Sequence, residues 1–312
     1  MTSPVRKATI PVAHHARDPI VPPRLALGAA VVAISSAAIL IRWTGAPPLV
    51  VGAYRLAYAT PLFWLAARFA TAPLWVGWTR ARVAAGLAAA VLLAAHFGLW
   101  IASLGLTSVA SSVLLVSTQP IFVALLGRAV LREPVAARAA AGIVLALAGT
   151  VAITGGNFRG PEGAWRGDLL ALGGALAMAL HTLLVRHLRP HVNLVPLMSL
   201  ETPVAAALLA LGAVLAGEPL TGYAPGTHAL FLLLALVPTG IGHTLLNWAL
   251  RYRKAYEVNV AVLGEPVGAT LLAFALLGER PALHVVAGGA LVLIGILLAW
   301  SSSASPTAAG SV

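Results

Sequence analysis

The chain has 312 residues, of which 60% are hydrophobic and only 9% charged, with mean hydropathy +0.92 and formal net charge +11. A water-soluble domain carries roughly 25% charged residues, so this composition lacks the polar surface of a soluble globule and implies a membrane protein. The absence of cysteine excludes disulfides, thiolate nucleophiles and cysteine metal sites.

In chain order, residues 1–23 are basic and proline-rich, with no long apolar core. They read as a disordered cytoplasmic tail rather than a cleaved signal peptide. Ten apolar runs follow, at 24–43, 47–68, 83–104, 108–130, 136–154, 166–188, 193–216, 227–250, 256–277 and 282–300. Each approaches the roughly 20 residues a crossing helix needs. Pro and Gly fall between them, in "TGAPP", "TAP", "REP", "GGNFRGPEG", "LRPHVN", "GEPLTGYAPG" and "GERP", as turn signals do. Residues 301–312 form a polar small-residue tail. The basic residues punctuate the apolar runs and form no patch with interleaved aromatics, which excludes a nucleic-acid partner. With the N-terminus inside, 15 Lys and Arg fall in inside segments and 4 in outside segments, Arg55 lying within a span. That bias predicts ten spans with both termini cytoplasmic, in the cell membrane.

The chain also matches itself. A shift of 146 residues brings "PIFVALLGRAVLREP" onto "PVGATLLAFALLGERP". Pro120 meets Pro266, Glu133 meets Glu279, Gly142 meets Gly288 and Gly149 meets Gly295. The same shift sets Arg55 on Glu201 and Gln119 on Glu265. The repeats cover 24–154 and 166–300, five spans each. Five is odd, so equivalent helices cross in opposite senses. The loop charges agree: "RYRK" (251–254) matches the uncharged "GLTS" (105–108). The predicted fold is an all-α integral membrane protein, ten transmembrane helices in two inverted five-helix repeats. Such repeats are a transporter construction with the site near the midplane.

The segments "HFGLWIASLGLTSVASSVLLVSTQPIFVALLGRAVLREP" and "VLGEPVGATLLAFALLGERPALHVVAGGALVLIGI" resemble the paired EamA-type repeats of the drug/metabolite transporter superfamily. In that family each repeat ends in a Pro-containing helix, a Gly-Glu turn and a Gly-rich helix. The second repeat keeps "GERP"; the first has Arg132 in place of the Gly. The resemblance implies a central cavity and export or exchange of small organic solutes, among them amino acids, nucleosides, sugars and drugs.

Ionisable groups inside a membrane are expensive and mark candidate sites. Arg55 and Glu201 each lie about 12 Å in from opposite faces at 1.5 Å per residue. Arg55 suits an anionic group, most simply a carboxylate, and Glu201 an amine or a proton. The alternative is that the two pair with each other, or with backbone carbonyls, and lock the bundle. His96, His181 and His243 are either hydrogen-bonded glue or cavity-lining proton acceptors. Tyr54, Tyr58, Gln119 and Asn247 complete the cavity candidates. Trp100 and Trp248, near span ends, read as interfacial anchors. Pro120 and Pro266 free the carbonyls four residues back, on Val116 and Val262, and predict a polar kink in each half. Beside them Gln119 and Glu265 differ, so only the second kink can titrate. Glu265 there either carries a proton, contacts a cationic group, or accepts hydrogen bonds from a neighbouring helix. Gly142, Gly149, Gly288 and Gly295 read as helix-packing positions, and Glu133 and Glu279 as caps or turn residues.

No pair has metal-ligand spacing, so no metal site is expected, nor any cofactor. There is no "GxxxxGK[ST]", "HExxH" or "GxSxG", which disfavours ATP hydrolysis and intramembrane hydrolysis. The function expected is a secondary transporter, not an enzyme. It would act in a lipid bilayer on a small-molecule substrate, with protons as a candidate coupling ion. The alternatives are an intramembrane enzyme and a non-transporting structural subunit.

Overall fold

The computed structural model describes residues 19, 21–70, 74–107, 109–154, 164–277 and 282–301. The tail predictions for 1–18 and 302–312, and those on Glu279 and the "GERP" turn, lie outside the described residues. All regular elements among the described residues are helical.

The first rod comprises α1 (Pro23–Ser35) and α2 (Ala37–Thr44). Single helices α3 (Pro48–Arg68) and α4 (Arg80–Ser103) follow. Then come α5 (Val109–Val116), α6 (Gln119–Val130) and α7 (Ala137–Thr154). The second half opens with α8 (Trp165–Leu188) and α9 (Leu194–Leu215). Its next rod joins α10 (Pro225–Leu234), a π-helical segment (Ala235–His243) and α11 (Thr244–Ala249). The last elements are α12 (Ala255–Val262), α13 (Glu265–Leu277) and α14 (Leu283–Ser301). Among the described residues, eight rods are long and apolar enough to cross a membrane, and Leu114–Val130 and Ala137–Ile153 are shorter apolar helices. Leucines such as Leu215 and Leu283 point outward, 80% and 85% exposed.

Local chemistry sets the ends. Proline occupies the first turn of α1, α3, α6 and α10, where its missing N–H breaks no helical bond. The Thr79 hydroxyl accepts the Arg82 N–H at 3.3 Å and caps α4. Arg132 has φ 54° just beyond α6. This left-handed conformation is one that glycine adopts more readily than arginine.

The predicted kinks at Pro120 and Pro266 take a different form. Both prolines are second residues of new helices, α6 and α13, and the chain breaks before them at 117–118 and 263–264. Each proline therefore starts a helix rather than bending a continuous one. The π-helical segment carries Pro238. Proline cannot donate to the carbonyl four residues back, and the widened turn lets the Thr239 hydroxyl donate to Leu234 O at 3.0 Å.

The principal packings are α7 on α14, α4 on α8 and α3 on α9. α1 lies on the π segment and α11, and α6 on α12. Between α7 and α14 the backbones nearly touch. A Cβ added at Gly142 would lie 2.5 Å from Gly295 O, and one at Gly149 would lie 2.6 Å from Gly288 O. Glu133, after α6, ties three elements together. Its Oε1 accepts from Arg186 Nε at 2.8 Å, and its Oε2 accepts the Ala255 N–H at 3.0 Å. The carboxylate thus caps the N-terminus of α12.

Candidate functional site

The two helix breaks meet in the interior. Val116, Ser117, Gln119 and Pro120 from one break and Val262, Leu263 and Glu265 from the other line a cavity of about 60 Å³, together with side chains from α1, α3, α4, α8 and the π segment. A break exposes backbone groups that a continuous helix would pair, and in a membrane such groups survive only inside protein or beside a cavity. The Ser35 hydroxyl of α1 donates to Val31 O at 2.7 Å and lies 3.2 Å from Glu265 O, at the start of α13.

Arg55, on α3, is 1% exposed. Its Nε donates to Thr239 Oγ1 at 2.6 Å. Its guanidinium carbon lies 4.5 Å from the Phe97 ring centroid, a cation–π contact. Nη1 and Nη2 have no protein partner. The guanidinium is thus fixed at its base while its planar fork remains unused. A fork of that kind matches the two oxygens of a carboxylate. Glu265, half-buried, is the other charged side chain on the cavity wall. Among the described residues no ion pair joins it to Arg55.

Two histidines complete the polar wall. His96 Nδ1 lies 3.0 Å from Gly174 O. A carbonyl only accepts, so Nδ1 carries the proton and Nε2 keeps a lone pair when the ring is neutral. The ring stacks on Trp100 at 5.9 Å and 13°. His243, at the end of the π segment, packs edge-on against Phe97 at 5.6 Å. Asn259 donates to Ala255 O at 3.2 Å while its Oδ1 has no partner.

The remaining candidates lie elsewhere. Arg55 and Glu201 do not pair: Glu201 Oε2 meets His181 Nε2 at 3.2 Å instead. Neither member of that pair lines the cavity. Tyr54 and Tyr58 also lie off the cavity wall; Tyr54, next to Arg55 in the chain, points about 100° away from it. Tyr54 donates to Leu220 O at 2.6 Å and stacks on Phe231 at 4.7 Å, and the Tyr58 hydroxyl meets His228 Nδ1 at 2.8 Å. Asn247 faces Met198 Sδ at 3.5 Å. Trp100 is no interfacial anchor: it is 8% exposed and walls the cavity. Trp248 is half-buried against Tyr252.

The EamA-like transporter family model matches residues 24–155 and again 165–301. The chain belongs to that family. This EamA-family chain is accordingly a multi-pass membrane protein of a transporter family. It is 34% identical over 67 residues to an uncharacterized transporter of Archaeoglobus fulgidus. That match spans 22% of this chain and a quarter, 25%, of the relative's length. Its fold is similar to that of a protein of known crystal structure, with TM-score 0.79 and 22% identity over 90% of this chain and 98% of the other.

In this EamA-family protein the cavity unites five of the sequence candidates, Arg55, His96, Gln119, His243 and Glu265. Phe97, Ser117 and Asn259 join them unannounced. Ser117 and Asn259 had a signal available. Each lies within a few residues of a proline-marked break, where polar groups have a reason to gather. Thr239, the support of Arg55, had only the proline before it. Among the described residues no group of three His, Asp or Glu could hold a metal ion.

Proposed function

We infer that this protein is a secondary transporter, an exporter or exchanger of small organic metabolites such as amino acids or related compounds, working by alternating access around this cavity. The observation that carries the reading is the Arg55 fork, buried with Nη1 and Nη2 unengaged in a cavity that also bears Glu265. Opposite charges held in one pocket without pairing suit a solute that carries both signs. Arg55 takes its carboxylate, and Glu265 its cationic group. His96, Gln119, His243 and Asn259 supply hydrogen bonds, and Phe97 and Trp100 the walls.

The architecture in this reading is ten crossings in two inverted repeats, with both termini cytoplasmic in the cell membrane. The packing supports it. α3 lies on α9, and α7 on α14, each pair being repeat counterparts. The contact of α1 with the π segment and α11 is mirrored by that of α8 with α4. The cavity volume of about 60 Å³ falls below the roughly 300–1,000 Å³ of pockets that hold small organic ligands. Solute entry therefore requires one half to move against the other, as alternating access provides.

Counterflow in proteoliposomes containing only this protein, run against a metabolite panel, tests the reading. Amino acids are expected to exchange, and the same amines lacking a carboxylate are not. Arg55→Lys keeps the charge but loses the fork, and is expected to lose exchange while remaining folded. A protein that exchanges no solute in the panel, with or without a pH gradient, would end the transporter reading.

A further inference from the structure

His181 lies seven residues before the end of α8 at Leu188, and Glu201 seven residues after the start of α9 at Leu194. The helices are joined by the short turn 189–193. Equal counts on the two arms bring the side chains level, about 10 Å in from the turn at 1.5 Å per residue. His181 Nε2 and Glu201 Oε2 stand 3.2 Å apart, with the side chains 1% and 0% exposed. His181 Nδ1 and Glu201 Oε1 are buried without a protein partner.

A bare carboxylate at such a site is strongly disfavoured by desolvation. The pair is neutral only when it holds one proton beyond a neutral imidazole and a carboxylate. The proton can sit on either member, as imidazolium–carboxylate or as imidazole–carboxylic acid. Structural glue would have its other polar atoms satisfied, yet Nδ1 and Oε1 are not. Leaving such buried atoms unpaired is costly.

The placement adds direction. Met178, one turn before His181 on the same face of α8, lines the cavity, and Gly174, a turn further, accepts from His96. The stripe from Gly174 to His181 thus runs from the cavity wall toward the turn that bears Arg189. The titratable and charged groups around the pair include His96 of α4 and His243 of the π segment on the cavity side and Arg189 on the side of the turn. A cationic group entering the cavity repels a proton held behind the same wall.

We propose that the His181–Glu201 pair is a proton-binding site, set between the cavity and the α8–α9 turn, whose proton is exchanged against the solute. The loaded pair is neutral. On unloading, one proton leaves and a neutral imidazole with a carboxylate remains. The exchange rests on the transporter reading; the proton site does not.

Infrared difference spectra of the purified protein, titrated between about pH 5 and 8, test the site with the proton as the only ligand. Proton uptake on acidification is expected in the wild type and in Glu265→Gln, read as a growing protonated-carboxyl band if Glu201 holds the proton and as a histidine ¹⁵N imidazolium signal if His181 holds it. The signal should vanish in Glu201→Gln and shift or vanish in His181→Gln. If Glu201→Gln does not fold, Glu201→Asp must move the signal's frequency or midpoint. A signal unchanged by either Glu201 variant, or neither signal beyond what Glu265→Gln removes, overturns the site. The exchange is read separately, as decay of a pH gradient in vesicles on adding the metabolite panel. A titrating pair in a protein that dissipates no gradient overturns the exchange alone.

Discussion

Gly142→Ala puts the close approach of α7 and α14 to a quantitative test. The added Cβ would lie 2.5 Å from Gly295 O, 2.7 Å from Ala299 N and 3.0 Å from Ala299 Cβ. Two of these atoms are backbone, so no rotamer change relieves them. Ordinary contact begins near 3.4 Å, and the helices must separate by roughly 0.9 Å at the crossing. Overpacking of this kind costs about 1–3 kcal/mol, and two backbone contacts put this site at the upper end. The gain in helix propensity from Gly to Ala returns about 0.5–1 kcal/mol, leaving a net loss of about 2 kcal/mol. Gly28→Ala is the control: the same chemical change in α1, with nothing within 4 Å of the new Cβ. It is expected to be neutral or stabilising by up to about 1 kcal/mol. Chemical unfolding in detergent, followed by tryptophan fluorescence, compares the two. Gly295→Ala should match Gly142→Ala, and the double variant should lose less than the sum, because one separation relieves both. If Gly142→Ala is as stable as Gly28→Ala, the close-approach argument is refuted.

Other outcomes follow from single contacts. Arg132→Gly relieves a non-glycine residue at φ 54° and should stabilise by about 1 kcal/mol, read in the same unfolding assay. Glu133→Gln keeps the shape of a side chain that accepts from Arg186 and caps α12 but removes its charge. A loss of about 1–2 kcal/mol is expected, and an unchanged midpoint would show the pair to be idle. The charge swap of Arg55→Glu with Glu201→Arg should not restore exchange, because Arg55 is held by Thr239 and Glu201 by His181. Restored counterflow would mean that the two residues do interact. Thr239→Val should lower the apparent affinity for an amino acid more than the maximal rate, because it frees the base of the Arg55 side chain without removing its charge.

Much of this architecture was written in the order of residues. A charge content of 9% and uninterrupted apolar runs leave hydrocarbon as the only solvent that fits. The 146-residue offset, read through Pro120 with Pro266 and the glycines seven apart, pointed to equivalent breaks and close packings. Chemistry at those positions is local: a proline lacks its N–H and a glycine its Cβ wherever they stand. Helix rotation was not legible. In water an amphipathic stripe marks the buried face, but lipid is as apolar as a protein core, so the outward and inward faces of these spans read alike. Sequence placed Arg55, Tyr54 and Tyr58 together, and only the packing of α3 against α9 and the π segment turned the guanidinium toward the cavity and the tyrosines away. It also decided that Glu201 meets His181 across the α8–α9 hairpin rather than Arg55. Depth along a helix could be counted from the sequence; direction around it required the neighbours.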